Sequence, residues 1–145
     1  MPSFEFPALA EIVKFNRRHL EIAGEDYYEP DNLRRKGTLS WVLEVIQYPL
    51  FDVDHYPRLA EKAAKLAWTI IHDHPFWDGN KRTGMSVLYL LLHMNGYDLD
   101  ADEEEILETA EQVADAKSEA FSEYEEFLQW VRDRMIIDKD QAWRR

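Results

Sequence analysis

Eleven consecutive residues, His-Pro-Phe-Trp-Asp-Gly-Asn-Lys-Arg-Thr-Gly from His74 to Gly84, hold most of the side chains suited to chemistry. His74 is a proton-transfer group whose intrinsic pKa lies near neutrality. Asp78 offers the oxygen donors that Mg²⁺ prefers. Gly79 tolerates backbone angles that other residues avoid, and a glycine turn feeding a helix start aims free N–H groups at one point. Lys81 and Arg82 follow in the first helical turn, where the helix dipole disfavours cations. An anionic ligand would remove that conflict, and arginine offers a bidentate fork to phosphate oxygens. Together these groups suit holding a nucleotide's phosphates and a divalent metal while a base takes a proton from an attacking hydroxyl. Singly, each has a duller reading. Asp-Gly-Asn alone is a turn with a helix cap, Lys-Arg alone a solvated pair, and a histidine at a helix end a structural hydrogen-bonding group. Phe76 and Trp77 are expected to anchor the loop in the core. The conjunction carries the reading.

These residues must be positioned by helices. Leu9, Ile12, Val13 and Leu20 predict a first helix ending near Gly24, and Leu39, Val42, Leu43 and Ile46 a second, stopped before Pro49. The link from Tyr48 to Pro57 has two prolines and alternating apolar residues, so it is a short hairpin or an extended flap. Leu59, Ala63, Leu66, Ala67, Ile70 and Ile71 predict a third helix with one apolar face. His74 continues that stripe, which would deliver it toward the interior, and Pro75 discourages helix beyond it. A helix beginning near Asn80 or Lys81 becomes apolar nearly all round from Met85 to Met94, which marks it as central, and Asn95-Gly96 ends it with a left-handed cap. Helices from Ile106 to Lys117 and from Ala120 to Met135 complete the pattern, the last with Phe121, Tyr124, Leu128, Val131 and Met135 on one side. Beyond the flap no alternating strand pattern is present. The expectation is a single all-α domain of about six helices over residues 1–137, with a short flap or hairpin before the motif helix and a loosely held tail at 138–145.

Size and composition narrow the function classes. At 145 residues and 46% hydrophobic content the chain suits one globular domain. It has no cysteine, which excludes disulfides and thiolate metal sites and fits a reducing cytosol. The N-terminus has no basic segment followed by an apolar run, so no signal peptide is expected. No stretch approaches the ~18 apolar residues of a membrane span. The net charge is −12, and thirteen acids face a single base, Lys117, between Asp98 and Glu126. Such a surface repels a phosphate backbone, so nucleic acid is not an expected partner. A cytoplasmic protein without membrane contact is expected.

The segment from His74 to Gly84 resembles the signature of the Fic/Doc family, His-x-Phe-x-Asp-Gly-Asn-Gly-Arg-x-x-Arg, and more closely its death-on-curing (Doc) branch, which carries Asn-Lys-Arg-Thr. The likeness extends to Leu33–Leu43, to Ala63–His72 and to Leu90–Gly96, which ends Asn-Gly before Tyr97. The resemblance implies an all-helical Fic fold and transfer of part of a nucleotide, with ATP as co-substrate and Mg²⁺, onto a protein hydroxyl. By position it implies His74 as general base, Asp78 as Mg²⁺ ligand, Gly79, Asn80, Lys81 and Arg82 as phosphate contacts, and Phe76 as motif anchor. The link around Leu50, Phe51 and Asp52 would be the flap that docks the target segment by strand addition.

Two departures bear on the group transferred. AMP-transferring members have a second arginine where this chain has Met85, and a glycine where it has Lys81. Both features are Doc-like, and the Doc branch implies a kinase that passes the γ-phosphate to a translation factor such as elongation factor Tu and so blocks translation. Gly79, alanine in Doc and glycine in the AMP-transferring enzymes, points the other way. The family's inhibitory motif, Ser/Thr-x-x-x-Glu-Gly/Asn, has its spacing at Ser40–Glu44 and Ser122–Glu126, but Val45 and Phe127 follow where Gly or Asn belongs. A separately encoded antitoxin is therefore the expected restraint. Two remote alternatives remain. His72-Asp73 with His55 resembles the metal site of helical phosphohydrolases, which would leave Gly79 to Arg82 unexplained. A non-enzymatic protein that only binds nucleotide or antitoxin is the other.

Overall fold

Apolar residues three and four apart produce helices here because each can bury one stripe against its neighbours. The computed structural model describes residues 3–117 and 121–138, with the side chains of 121 and 122 outside that description. Among the described residues there are six helices: α1 (Leu9–Ala23), α2 (Lys36–Gln47), α3 (Leu59–Asp73), α4 (Asn80–Met94), α5 (Glu103–Asp115) and α6 (Phe121–Arg134). The all-α expectation is met. Helix α1 begins where the Glu11 carboxylate reaches back to the Ala8 N–H at 3.0 Å, and Gly24 closes it in the left-handed conformation. Helix α5 starts at Asp102, whose carboxylate accepts from the Glu105 N–H at 2.8 Å, with three further acids in the first turn.

Helices α3 and α4 form the centre. Ala63, Leu66, Ala67, Ile70 and Ile71 on α3 meet Val87, Leu88, Leu91 and Leu92 on α4, all without solvent exposure. The two backbones approach most closely at Gly84, where a Cβ would collide with the Ile71 side chain and stand 3.2 Å from the Ala67 carbonyl. The other helices pack around this pair, α2 and α6 on α3, α1 on α4, and α5 on both.

Two local expectations need correction. Tyr97–Leu99 (β1) and Met135–Ile137 (β2) form a small antiparallel sheet, with Tyr97 opposite Ile137 and Leu99 opposite Met135. Strands of three residues have no readable alternation, and Met135 had been expected to end a helix. The helix expected from Ile106 starts at Glu103, because the Asp102 cap sets its beginning. The left-handed cap expected from Asn95-Gly96 is present, with Asn95 at φ −110° closing α4 and Gly96 left-handed at φ 87°. The helix start expected at Ala120, the Phe121 side chain and the tail beyond Asp138 lie outside the described residues. Asp138 itself donates its N–H to the Gly96 carbonyl at 3.0 Å.

The link between α2 and α3 is a minimal hairpin. Leu50 and Val53 exchange backbone hydrogen bonds of 2.9 and 3.0 Å around left-handed Phe51 and Asp52. Its base is pinned by buried Lys62, whose Nζ donates to the Ile46 carbonyl at 2.7 Å and pairs with Asp54 at 3.3 Å. The tip is bare, with Phe51 91% exposed.

Candidate active site

Between α3 and α4 the chain reverses over six residues, and two left-handed positions make that possible. Helix α3 ends at Asp73, and His74 takes φ 50°, ψ 63°. Gly79 takes φ 80° immediately before α4. The helix therefore does not carry His74 inward along its stripe, as the spacing had predicted; the left-handed turn sets its direction. A substituent on Gly79 would be strained by that φ and would also stand 2.9 Å from Asn16 Nδ2.

The turn is held from beneath. Phe76 is fully buried, which fits its expected role as anchor. Trp77 is instead 56% exposed, with the Arg34 guanidinium 5.6 Å from its ring centre and Tyr28 beside it. The Asn80 side chain is wholly occupied within the turn. Its Oδ1 accepts the Phe76 N–H and its Nδ2 donates to the Phe76 carbonyl, both at 3.0 Å. Asn80 thus shapes the turn through its side chain, and only its backbone N–H faces the helix start. From the other side, the Arg34 and Arg35 N–H groups donate to the Pro75 carbonyl at 2.8 and 2.9 Å.

Above the turn lies a cavity of about 460 Å³ lined by His74, Asp78, Gly79, Asn80, Lys81 and Arg82 from the motif, by His19 and Leu20 from α1, and by Leu107 and Glu111 from α5. Every expected catalytic, metal and phosphate residue is at this one cavity. Leu50, Phe51 and Asp52 of the hairpin are not. A larger groove of about 570 Å³ between α5 and α6 contains none of these residues. No side chain caps α4, which leaves its first N–H groups without a capping partner at residues that line the cavity.

Burial lowers the pKa of His74, and the neighbouring His72, Arg34 and Arg35 add to that, against the opposing Asp73 carboxylate. No group among the described residues hydrogen-bonds its imidazole, so the ring is available, and the lowered pKa favours its neutral form. An imidazole acting as general base does so in its neutral form. The acid limb of a rate limited by it is therefore expected to be centred below pH 6.5. An acid limb centred above 6.5 in the kcat/KM–pH profile, which reports the free enzyme, would contradict this. Burial also lowers the His19 pKa, with Arg82 and Arg18 contributing, while its Nε2 lies 2.7 Å from Ser86 Oγ.

The phosphate-type cations are unequal. Arg82 is exposed, whereas Lys81 Nζ is paired with Glu111 of α5 at 2.6 Å. Both partners are partly exposed, and such pairs contribute up to about 1 kcal/mol. Should the cavity take a phosphate ligand, Glu111→Gln is expected to tighten its binding by about twofold to fivefold, read by calorimetric titration with ATP as the probe. Weaker binding would show that Glu111 helps the site. Met85, where an AMP-transferring relative would carry arginine, is buried and does not line the cavity.

The site's fit to Mg²⁺ rests on one carboxylate. Asp78 is exposed to the cavity, and its Oδ1 accepts the Gly79 N–H at 2.7 Å. No cluster of three or more His, Cys, Asp or Glu side chains able to hold a metal occurs among the described residues. That donor set suits an ion held mostly by phosphate oxygens and water, as Mg²⁺ commonly is. The phosphohydrolase-type alternative fares worse. His72 has both ring nitrogens engaged, Nδ1 with Asp73 at 2.7 Å and Nε2 with the Ala116 carbonyl at 2.9 Å, and its ring stacks on Trp68.

Sequence reasoning missed Asn16, Asn32, His19 and Glu111. Asn16 had a detectable signal, being a polar residue on the Ile12–Leu20 stripe; the others had none.

A helical fold built around a His-to-Gly turn of this kind defines a class, and residues 8–92, more than half of the chain, match the Fic/DOC family. The protein belongs to that family. It is also similar to the protein named Toxin Doc from Mycolicibacterium smegmatis, being 40% identical over 70 residues, which is 48% of this chain and 54% of that protein. The chain thus spans about half the length of that curated relative. No described helix is long and apolar enough to cross a membrane.

Proposed function

We propose that this protein is a Doc-like toxin that transfers the γ-phosphate of ATP to a hydroxyl of a protein target, a translation factor such as elongation factor Tu, and thereby blocks translation. The observation that carries the reading is the convergence of a free imidazole, a carboxylate and two cations on one cavity at an uncapped helix start. His74 takes the proton as the target oxygen bonds to the γ-phosphorus, and the bond from that phosphorus to the departing ADP oxygen breaks. Arg82, Lys81 and the first N–H groups of α4 hold the phosphate oxygens. Asp78 holds Mg²⁺, which neutralises phosphate charge when bound. A separately encoded antitoxin restrains the protein in its cell.

Lys81, in place of the glycine of the AMP-transferring pattern, and buried Met85, in place of its second arginine, favour phosphate over AMP transfer. Gly79 supports AMP transfer as the second reading. Incubation with bacterial lysate and ATP labelled at the α or the γ position separates them. Label from the γ position alone is expected. Label from the α position alone means AMP transfer, and label from neither removes both readings.

A further inference from the structure

We propose that Asn16 and Asn32, remote from the motif in sequence, are positioning residues that hold the Asp78–Gly79 peptide in its working orientation. The inference rests on the reading of this turn as the phosphate and metal site. Both asparagines are fully buried. Asn16 Nδ2 donates to the Asp78 carbonyl at 2.9 Å and to Thr83 Oγ1 at 3.1 Å. Asn32 Nδ2 donates to the same carbonyl at 3.3 Å and to Asn16 Oδ1 at 2.8 Å. Asn32 is itself held, its Oδ1 accepting the Tyr28 N–H at 3.3 Å and its carbonyl accepting the Trp77 N–H at 3.0 Å.

One carbonyl therefore receives two buried amide donors. A trans peptide places its C=O and N–H on opposite sides. With the Asp78 oxygen drawn inward, the Gly79 N–H must point outward, where it meets Asp78 Oδ1 at 2.7 Å. The two amides thus orient the carboxylate assigned to the metal and the first donor of the phosphate turn together. They act through the backbone and touch no reacting atom. A flip of this peptide would turn a carbonyl toward the anion and strand two buried amides, which is costly. Left-handed Gly79 has little preference of its own between the alternatives, so the choice falls to Asn16 and Asn32. A Cβ at Gly79 would stand 2.9 Å from Asn16 Nδ2, so the same amide also disfavours a side chain at that position.

Asn32→Gly isolates the effect, because Asn32 has φ 56° and glycine keeps that backbone while deleting the amide. Asn16→Ala is the second variant, and Leu128→Ala, in the buried α6 face, controls for lost stability. Two readouts are needed: ¹⁵N relaxation of the Gly79 amide, and γ-phosphate transfer at saturating ATP. Expected is a loss of Gly79 order in both asparagine variants but not in the control, with kcat lowered tenfold or more. The double variant should be no worse than the worse single, since both amides act on one oxygen. Undisturbed Gly79 order in both variants, equal disorder in Leu128→Ala, or lost order with unchanged kcat would each overturn the proposal. Absence of transfer by the parent protein would count against the transferase reading, while the Gly79 amide would still decide whether the lock exists.

Discussion

Replacing His74 with alanine is expected to lower the transfer rate by about 10²–10⁴-fold, the range associated with loss of a positioned general base. The imidazole is half-buried, lacks a hydrogen-bond partner among the described residues and is kept neutral by burial and nearby cations. Its removal should therefore cost little stability. The complication is the backbone, since φ 50° disfavours most side chains and a shifted turn would mimic a lost base. His74→Asn resolves it, because asparagine tolerates the left-handed region but supplies no base near neutrality. Equal losses in the two variants, with ATP affinity and melting temperature near the parent's, would assign the effect to the imidazole. Retention of more than a tenth of the rate by either would remove His74 as the base.

Gly84→Val should lower the melting temperature by about 10 °C, corresponding to roughly 3 kcal/mol for a chain of this size. Two effects compete. Glycine inside a helix is unfavourable by about 0.5–1 kcal/mol relative to alanine, and β-branched valine recovers only part of that. Against this, Gly84 lies where α3 and α4 nearly touch, and even a bare Cβ would overlap the Ile71 side chain and press on the Ala67 carbonyl. Overpacking of that kind costs typically 1–3 kcal/mol and more where backbone is involved. Packing wins. Pairing the substitution with Ile71→Ala should recover part of the loss by opening the space. An unchanged melting temperature for Gly84→Val would mean that the helices separate freely, and that their spacing does not set the width of the turn between His74 and Asn80.

The helices were largely legible because their information is local. Apolar spacing on α1, α2, α3 and α4, with Gly24, Pro49 and Gly79 as punctuation, is contained within windows of a few turns. Where the chain departs from expectation, the missing information is distant. Strand β2 exists because Met135–Ile137 finds β1 across the sheet, and three residues cannot announce a pairing made elsewhere. The outward face of Trp77 follows from burial of Phe76 and from Asn32 holding the Trp77 N–H, neither visible in an aromatic pair read alone.

The candidate site divides the same way. Residue types and order from His74 to Gly84 are enough to specify a base, a carboxylate, a glycine turn and two cations, because the whole set is contiguous and chemistry depends on functional groups. Tertiary structure decided how those groups are held and who else meets them. Glu111 reaches Lys81 from another helix, His19 closes the cavity beside Arg82, and Asn16 and Asn32 grip Asp78 across separations of 62 and 46 residues. No local rule encodes such meetings. They arise only when α1 and the loop before α2 pack against the turn, where buried polar groups must find partners and two amides converge on one carbonyl.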